Sequence, residues 1–210
     1  RSDLTHLSAE AGAQVLRALK VKGTEEELRK ASDEYDGHSL ALTLLGSYLE
    51  EACDGDIRKR DTIGPLEEDD RHGKHARRVM SAYERWFQSG PEIAVLRMLG
   101  LFDRPANTGE IDALRASPVV PGLTDALEGL DGKTWNKALA RLRRAGLLAA
   151  EPGDKEKNKT LDAHPLVREH FGEALKSAQP EAWREGHRRL YVYLRGKDKE
   201  LPETGEEMGP

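Results

Sequence analysis

The sequence contains little of what disulfide-rich, membrane-spanning or exported proteins need. Its 210 residues include one cysteine, Cys53, which cannot form an internal disulfide or hold zinc by itself. The longest largely apolar stretch, residues 40–49, is about half of the roughly 20 residues that a membrane span needs. The chain also lacks a basic start followed by an apolar signal segment. These absences predict a cytoplasmic protein with no membrane partner.

An excess of positive charge is also missing. Lysine and arginine number 33 against 38 aspartate and glutamate, which gives a net charge of -5. This balance does not indicate nucleic acid as a partner. With 37% apolar, 34% charged and only 5% aromatic residues, the composition is typical of a helix-rich globular protein. Because the first residue is Arg1 and not methionine, we expect a piece of a longer polypeptide.

Helical periodicity dominates residues 1–90. Ser8 and Thr24 place side-chain acceptors where helix starts need them, and two apolar stripes of helical spacing follow further along the chain. We therefore expect a small four-helix domain with one strand-like stretch before it and one long exposed loop inside it. The predicted helices follow Ser8 and Thr24 and cover residues 41–52 and 76–87, the strand-like stretch is residues 4–7, and the loop is residues 53–73.

Residues 91–178 have a different rhythm, in which three predicted helices precede two short strands. The third helix is predicted to have Thr134 as its N-cap and Gly146 just past its end. The strands, residues 147–150 and 160–163, flank a polar loop and are typical of a β-hairpin. Helix, helix, helix, hairpin is the order of a winged helix-turn-helix domain. The predicted fold is therefore mainly α, a four-helix domain followed by a winged helix with one small hairpin, with residues 179–210 as a helix and linker.

Two sequence features suggest enzyme or metal chemistry but lack the pattern that it needs. Gly132-Lys133-Thr134 mimics the end of a P-loop, yet the position of Leu127 lacks the required glycine and no strand precedes it. Without Walker motifs, this chain alone is not expected to be an enzyme. His72 and His75 have no paired ligand spacing with Cys53, so we expect no metal site.

The predicted third helix of the second region is strongly basic. In a winged helix this helix enters the DNA major groove, so the alternative function is a DNA-binding transcriptional regulator using Lys137, Arg141 and Arg144. The opposing interpretation places these cations on an outer face, where they suit the helix dipole or contact another domain. The five cations of residues 133–150, a stretch without acidic residues, are Lys133, Lys137, Arg141, Arg143 and Arg144.

A histidine follows the second predicted strand. His164 precedes Pro165, which suits the first position of a helix. Its ring could donate to an anion, helped by backbone N–H groups at the helix start, or it could simply cap its own helix. The residues alone leave both interpretations open.

Two motifs resemble the STAND class of P-loop NTPases, in the branch of NB-ARC proteins and their bacterial, AP-ATPase-like relatives. Residues 35–42 are similar to the Gly-Leu-Pro-Leu-Ala motif of that class, with Gly37, Leu40 and Ala41 matching. Ala163-His164-Pro165 resembles its Met-His-Asp motif and retains the histidine. The following Leu166-Val167-Arg168 also agrees with the usual continuation.

This resemblance implies a regulatory module of a signalling ATPase in bacterial defence or regulation. Gly37, Ser39 and Leu40 would lie at the adenine, and His164 would bond the β-phosphate of ADP, so that the chain acts as an on/off switch. ADP or ATP with Mg²⁺ would be bound only in the full-length parent. The implied partners are an upstream P-loop nucleotide-binding domain, a downstream repeat or sensor domain of the same chain, and further copies of the activated parent.

Overall fold

The protein is mainly helical, as predicted, with one small antiparallel sheet. The computed structural model describes residues 6–64, 73–150 and 160–198. Within these residues the α-helices are α1 (Ala9–Ala18), α2 (Glu25–Glu34), α3 (Ser39–Ala52), α4 (Lys74–Phe87), α5 (Pro91–Leu99), α6 (Thr108–Arg115), α7 (Gly132–Arg144), α8 (Pro165–Ala178) and α9 (Pro180–Asp198). Two 3-10 helices span Ile57–Ile63 and Asp125–Leu127, and the strands are β1 (Ala106–Asn107) and β2 (Thr160–Leu161).

Backbone contacts divide the chain into two compact units. The first unit comprises Arg1–Ile93 and Gly132–Ala150, and the second comprises Ala94–Asp131 and Glu151–Pro210. Helix α7, which the sequence assigned to a winged helix with the strands, thus groups with α1 to α4. Of the helices in the described part of the chain, none combines the length and apolar character needed to cross a membrane.

The helix starts predicted in the first unit are confirmed. Ser8 Oγ accepts a hydrogen bond from the Ala11 backbone N–H at 3.2 Å. Thr24 and Glu27 form a reciprocal capping box at the start of α2. Helix α3 is buried on most sides, as its composition predicted, because seven of its residues are in the core.

The prediction of an exposed loop over residues 53–73 is wrong for the middle of that stretch. Residues Ile57–Ile63 form a 3-10 helix whose terminal isoleucines are buried. Arg60, also buried, donates from Nε to Glu34 at 2.9 Å. The two isoleucines stand among polar residues in the sequence, so their burial was not predicted. The 3-10 helix that carries them contacts α2, α3 and α4. The acidic end of that loop and residues 1–5 lie outside the described residues, while His6 forms an isolated bridge with His38.

The prediction of a β-hairpin in the second half of the chain is also wrong. Strand β2 pairs antiparallel with β1, Ala106 opposite Leu161, and residues 147–150 form no strand. The physical reason is the end of α7. Gly146 is left-handed, at φ +72°, and the N–H groups of Leu147 and Leu148 donate to the Leu142 carbonyl in the manner of a Schellman motif. Their backbone is therefore committed to the helix terminus.

The second unit is organised around α9. This helix contacts α6 and α8. From α9, Arg189 donates to the carbonyls of Leu114 at 3.1 Å, Ala116 at 2.5 Å and Pro118. One guanidinium therefore holds the turn that follows α6 and links it to the C-terminal helix. Helix α8 approaches the end of α5 closely at Gly172, where a Cβ would lie 2.4 Å from the Gly100 carbonyl oxygen.

Candidate functional site

His164 occupies the N-cap position of α8, and Asp162 and Ala163 separate it from the end of β2. Its backbone is extended, with φ -54° and ψ 139°, and Pro165 takes the first helical position, as predicted. The His164 Nδ1 accepts a hydrogen bond from the Leu166 backbone N–H at 3.2 Å. The capping interpretation of His164 is therefore confirmed, and it fixes the orientation of the ring.

The cap also determines which ring nitrogen can donate. Because Nδ1 accepts, the neutral imidazole carries its proton on Nε2. Partial burial of the ring, and next the positive charge of Arg168, lower the pKa of His164 below its usual value. The side chain as a whole remains exposed. At neutral pH, His164 thus presents one N–H donor on a fixed ring.

Backbone N–H groups at the start of α8 do not add to this donor. Pro165 has no N–H, and Leu166 donates to the His164 ring. The N–H groups of Val167 and Arg168 both donate to the His164 carbonyl, at 2.8 and 3.1 Å. The expectation that these groups would help to bind an anion is therefore wrong, since the turn itself consumes them.

A buried arginine lies one turn beyond His164. Arg168 Nη1 donates to Asp162 Oδ1 at 2.6 Å and to the Ala163 carbonyl at 2.7 Å. Its Nη2 donates to the Asp103 carbonyl at 3.1 Å. Since the residue is 8% exposed, these bonds form in a poorly solvated place. Sequence reasoning noted Arg168 only as a motif match, and nothing local signalled its contact with residue 103.

The second group of candidate residues lies at the start of α3, in the first unit. Gly37 has φ +60°, and its carbonyl accepts from the Leu7 N–H at 2.7 Å. A Cβ at Gly37 would lie 2.1 Å from the Leu7 carbonyl oxygen, so only glycine allows this approach. Ser39, the first residue of α3, is exposed, and Leu40 is half-buried.

His38 is a helix-capping residue that sequence reasoning missed. Its Nδ1 accepts from the Ala41 N–H at 3.3 Å, which makes it the N-cap of α3. Its signal was a side-chain acceptor directly before an apolar helix. The structure thus brings Gly37, Ser39 and Leu40 together beside a histidine cap, and it places the other histidine cap, His164, in the second unit.

The cations of α7 are divided between internal contacts and an exposed side. Arg141 Nη1 lies 3.1 Å from Glu92 Oε1, and its guanidinium lies over the Trp86 ring. Arg144 Nε lies 3.0 Å from Glu51 Oε1, while Lys137 is exposed. Two of the three cations proposed as DNA contacts thus pair with acids of their own unit. The N-cap predicted at Thr134 is wrong, since α7 begins at Gly132.

The residues considered for metal binding do not converge. Cys53 is buried, which raises the pKa of its thiol, and His75 packs against the Tyr35 ring. His72 lies outside the described residues. Across residues 6–64, 73–150 and 160–198, no three His, Cys, Asp or Glu side chains are grouped so that they could hold a metal ion.

Two comparisons with known proteins found no match. No protein-family model matches the sequence, and no curated protein matches it significantly. The two histidine-capped helix starts are the features of the described residues that bear on function.

Proposed function

We propose that this chain is the regulatory part of a STAND-class signalling ATPase. In this proposal it closes over ADP held by an adjacent P-loop nucleotide-binding domain and works as a nucleotide-dependent on/off switch. The observation that carries the proposal is His164, whose Nδ1 is used by its own helix while the exposed ring keeps Nε2–H as a donor. A phosphate oxygen is a suitable acceptor for that proton.

The order of elements supports a winged helix as the second part of the proposal. Helix α5, strand β1, helices α6 and α7 and strand β2 follow one another as in that fold, and β1 pairs with β2. Helix α7 would then be a brace and not a DNA-reading helix, because Arg141 and Arg144 pair with Glu92 and Glu51. This use of the cations favours the switch over a DNA-binding regulator.

In this proposal, the start of α3 contacts the adenine. Ser39 is exposed at the first position of α3, directly beyond the left-handed Gly37. Gly37 itself has its carbonyl bonded to Leu7 and its N–H bonded to the Ser32 carbonyl. Its role is therefore to shape the turn, and we assign the contact with adenine to Ser39 and Leu40.

The energy of one hydrogen bond is sufficient for such a switch. A hydrogen bond to a charged group contributes roughly 1.5 to 3 kcal/mol, which shifts a two-state equilibrium by about 10- to 100-fold. When ATP replaces ADP, the position of the phosphate that His164 contacts changes, and the closed state loses this contribution. The switch then opens without any chemistry performed by this chain.

The test uses the full-length protein that contains this chain, purified as wild type, His164→Ala and His164→Asp. ADP that remains bound is released by denaturation and quantified by chromatography. The aspartate variant restores an N-cap acceptor but cannot donate to phosphate and adds a negative charge. We expect both variants to lose bound ADP, by about 10-fold or more.

The two variants separate capping from ligand binding. If His164 acts only through its helix, His164→Asp retains as much ADP as wild type and only the alanine variant loses it. That result, or wild type purified without any nucleotide, would contradict the switch proposal. A nucleotide-free protein that binds duplex DNA with steep salt dependence would favour the DNA-binding alternative.

A further inference from the structure

The segment that carries His164 is held by one guanidinium. Arg168 joins three acceptors from two parts of the second unit, namely the Asp162 carboxylate, the Ala163 carbonyl and the Asp103 carbonyl. Two of these acceptors belong to the two residues directly before His164. The third precedes β1, the strand that pairs with β2. Arg168 therefore joins the turn before α8 to the segment that leads into β1.

We propose that Arg168 is a positioning residue, which holds the turn before α8 and with it the capped His164 ring, so that the Nε2–H of His164 can serve as the phosphate donor. The part that concerns phosphate rests on the proposed function. The part that concerns the ring depends only on the contacts in this unit and can be tested without nucleotide.

The three acceptors favour an arginine at this position. Nη1 donates to two of them and Nη2 to the third, which a planar fork of fixed N–H directions can satisfy. A lysine ammonium is a point donor on a flexible stem and cannot hold three acceptors in the same arrangement. Because Arg168 is 8% exposed and its bond to the Ala163 carbonyl is buried, losing these bonds would leave that carbonyl without a donor.

The charge of Arg168 acts on His164 in the same direction as the hydrogen bonds. A positive charge one helical turn away disfavours the imidazolium and thereby lowers the pKa of His164. The neutral ring is the form whose Nδ1 can accept from the Leu166 N–H. Asp162 lies 2.6 Å from Arg168 and carries the opposite charge. We therefore expect the arginine and the aspartate to influence the His164 ring in opposite directions.

This opposition gives a sharp experiment on the chain itself. The ring nitrogens of His164 are followed by NMR through a pH titration in wild type, Arg168→Met and Asp162→Asn. We expect Arg168→Met to move the His164 pKa upward and to mix the two tautomers. We expect Asp162→Asn to move the pKa downward, because the arginine field is then less offset while the asparagine oxygen still accepts from Nη1.

His187 of α9 is the internal control. Burial and then the charge of Lys176 lower its pKa, so a general loosening of the protein would shift His187 together with His164. A purely structural role of Arg168 predicts shifts of one sign for both variants, or no shift, and either result overturns the proposal. Should Arg168→Met fail to fold, the direction of the Asp162→Asn shift decides alone.

Failure of this inference and failure of the switch are distinguishable. If the ring titrations behave as expected but His164→Asp retains ADP, the switch is wrong and Arg168 remains a positioning residue for the cap. If ADP retention depends on His164 but the titrations do not respond to Arg168, the switch stands and the role of Arg168 is wrong.

Discussion

The guanidinium carbon of Arg141 lies 4.3 Å from the centroid of the Trp86 ring. On its polar edge the same side chain lies 3.1 Å from Glu92 and 3.6 Å from Glu51. Both carboxylates are mostly buried, with side-chain exposures of 11% and 13%. Arg141 therefore combines a cation–π contact with two ion pairs inside the first unit.

Replacing Arg141 by methionine should destabilise the first unit. The substitution keeps an apolar side chain over Trp86 but leaves Glu51 and Glu92 with less positive charge nearby. We expect a loss of roughly 2 kcal/mol in the free energy of unfolding, discounted because Arg141 is 33% exposed. The measurement is urea denaturation followed by tryptophan fluorescence.

Lys137→Met is the matched control on the same helix. Lys137 is exposed, and surface substitutions usually change stability by about 0.5 kcal/mol or less. The two variants remove the same charge from the same helix. Equal losses of stability would show that Arg141 is not a special contact, and equal losses of DNA affinity would instead point to a shared nucleic-acid surface.

The stability of the protein should decrease as pH falls from 7 to 5. Burial lowers the pKa of His75, His164 and His187 below the ordinary value of 6.5. Between the folded and unfolded pKa values the unfolded chain binds more protons, so stability rises with pH. The contribution is complete above about pH 6.5 and is lost as the pH falls through the folded values.

His164→Asn isolates one of these contributions. Asparagine is a good N-cap and does not titrate in this range. We expect urea unfolding of this variant to depend less on pH than that of wild type, with similar stability at pH 7.5. A variant with an unchanged pH dependence would show that His164 titrates alike in the folded and unfolded states.

Local signals explain which parts of this fold are readable from sequence. Ser8 and Thr24 start helices where their side chains can accept N–H bonds, and Gly146 ends α7 in a left-handed conformation. The pairing of β1 with β2 depends on residues far apart in the chain, and no local pattern contains it. The burial of Ile57 and Ile63 likewise depends on contacts with helices elsewhere in the chain, which the local composition does not indicate.

In the candidate site, too, some features follow from local sequence and others depend on contacts between distant residues. The capping role of His164 follows from a histidine and a proline at a strand-to-helix junction. The anchoring of the preceding turn involves Arg168, whose partner at residue 103 is remote in sequence. Similarly, the composition of α7 suggests DNA contacts, whereas the acids that pair with Arg141 and Arg144 come from other helices.

Gly172→Ala should destabilise the second unit. The added Cβ would lie 2.4 Å from the Gly100 carbonyl oxygen, so α8 would have to move away from the end of α5. Overpacking of this kind costs roughly 1 to 3 kcal/mol. Thermal unfolding followed by circular dichroism measures the effect.

A second helical glycine provides the comparison for Gly172. Among the described residues, no heavy atom beyond its own stretch of α9 lies within 4 Å of a Cβ placed on Gly196. Alanine there improves helix propensity by up to about 1 kcal/mol, so Gly196→Ala should be neutral or stabilising. If both variants behaved alike, the close approach between Gly100 and Gly172 would not be a constraint on the fold.

Gly37→Ala should disturb the start of α3 more than its left-handed conformation alone explains. At φ +60° an alanine costs roughly 1 to 2 kcal/mol, and its Cβ would also lie 2.1 Å from the Leu7 carbonyl oxygen. Gly146→Ala carries a similar conformational penalty at φ +72°, yet its nearest contact, Thr43 Cγ2 at 3.4 Å, is ordinary. In urea denaturation of the first unit we therefore expect Gly37→Ala to lose clearly more stability than Gly146→Ala.

Amide hydrogen exchange at Leu7, which donates to the Gly37 carbonyl, should accelerate only in the Gly37 variant. Unchanged exchange at Leu7 would mean that the glycine serves the helix start alone and not its pairing with the preceding segment.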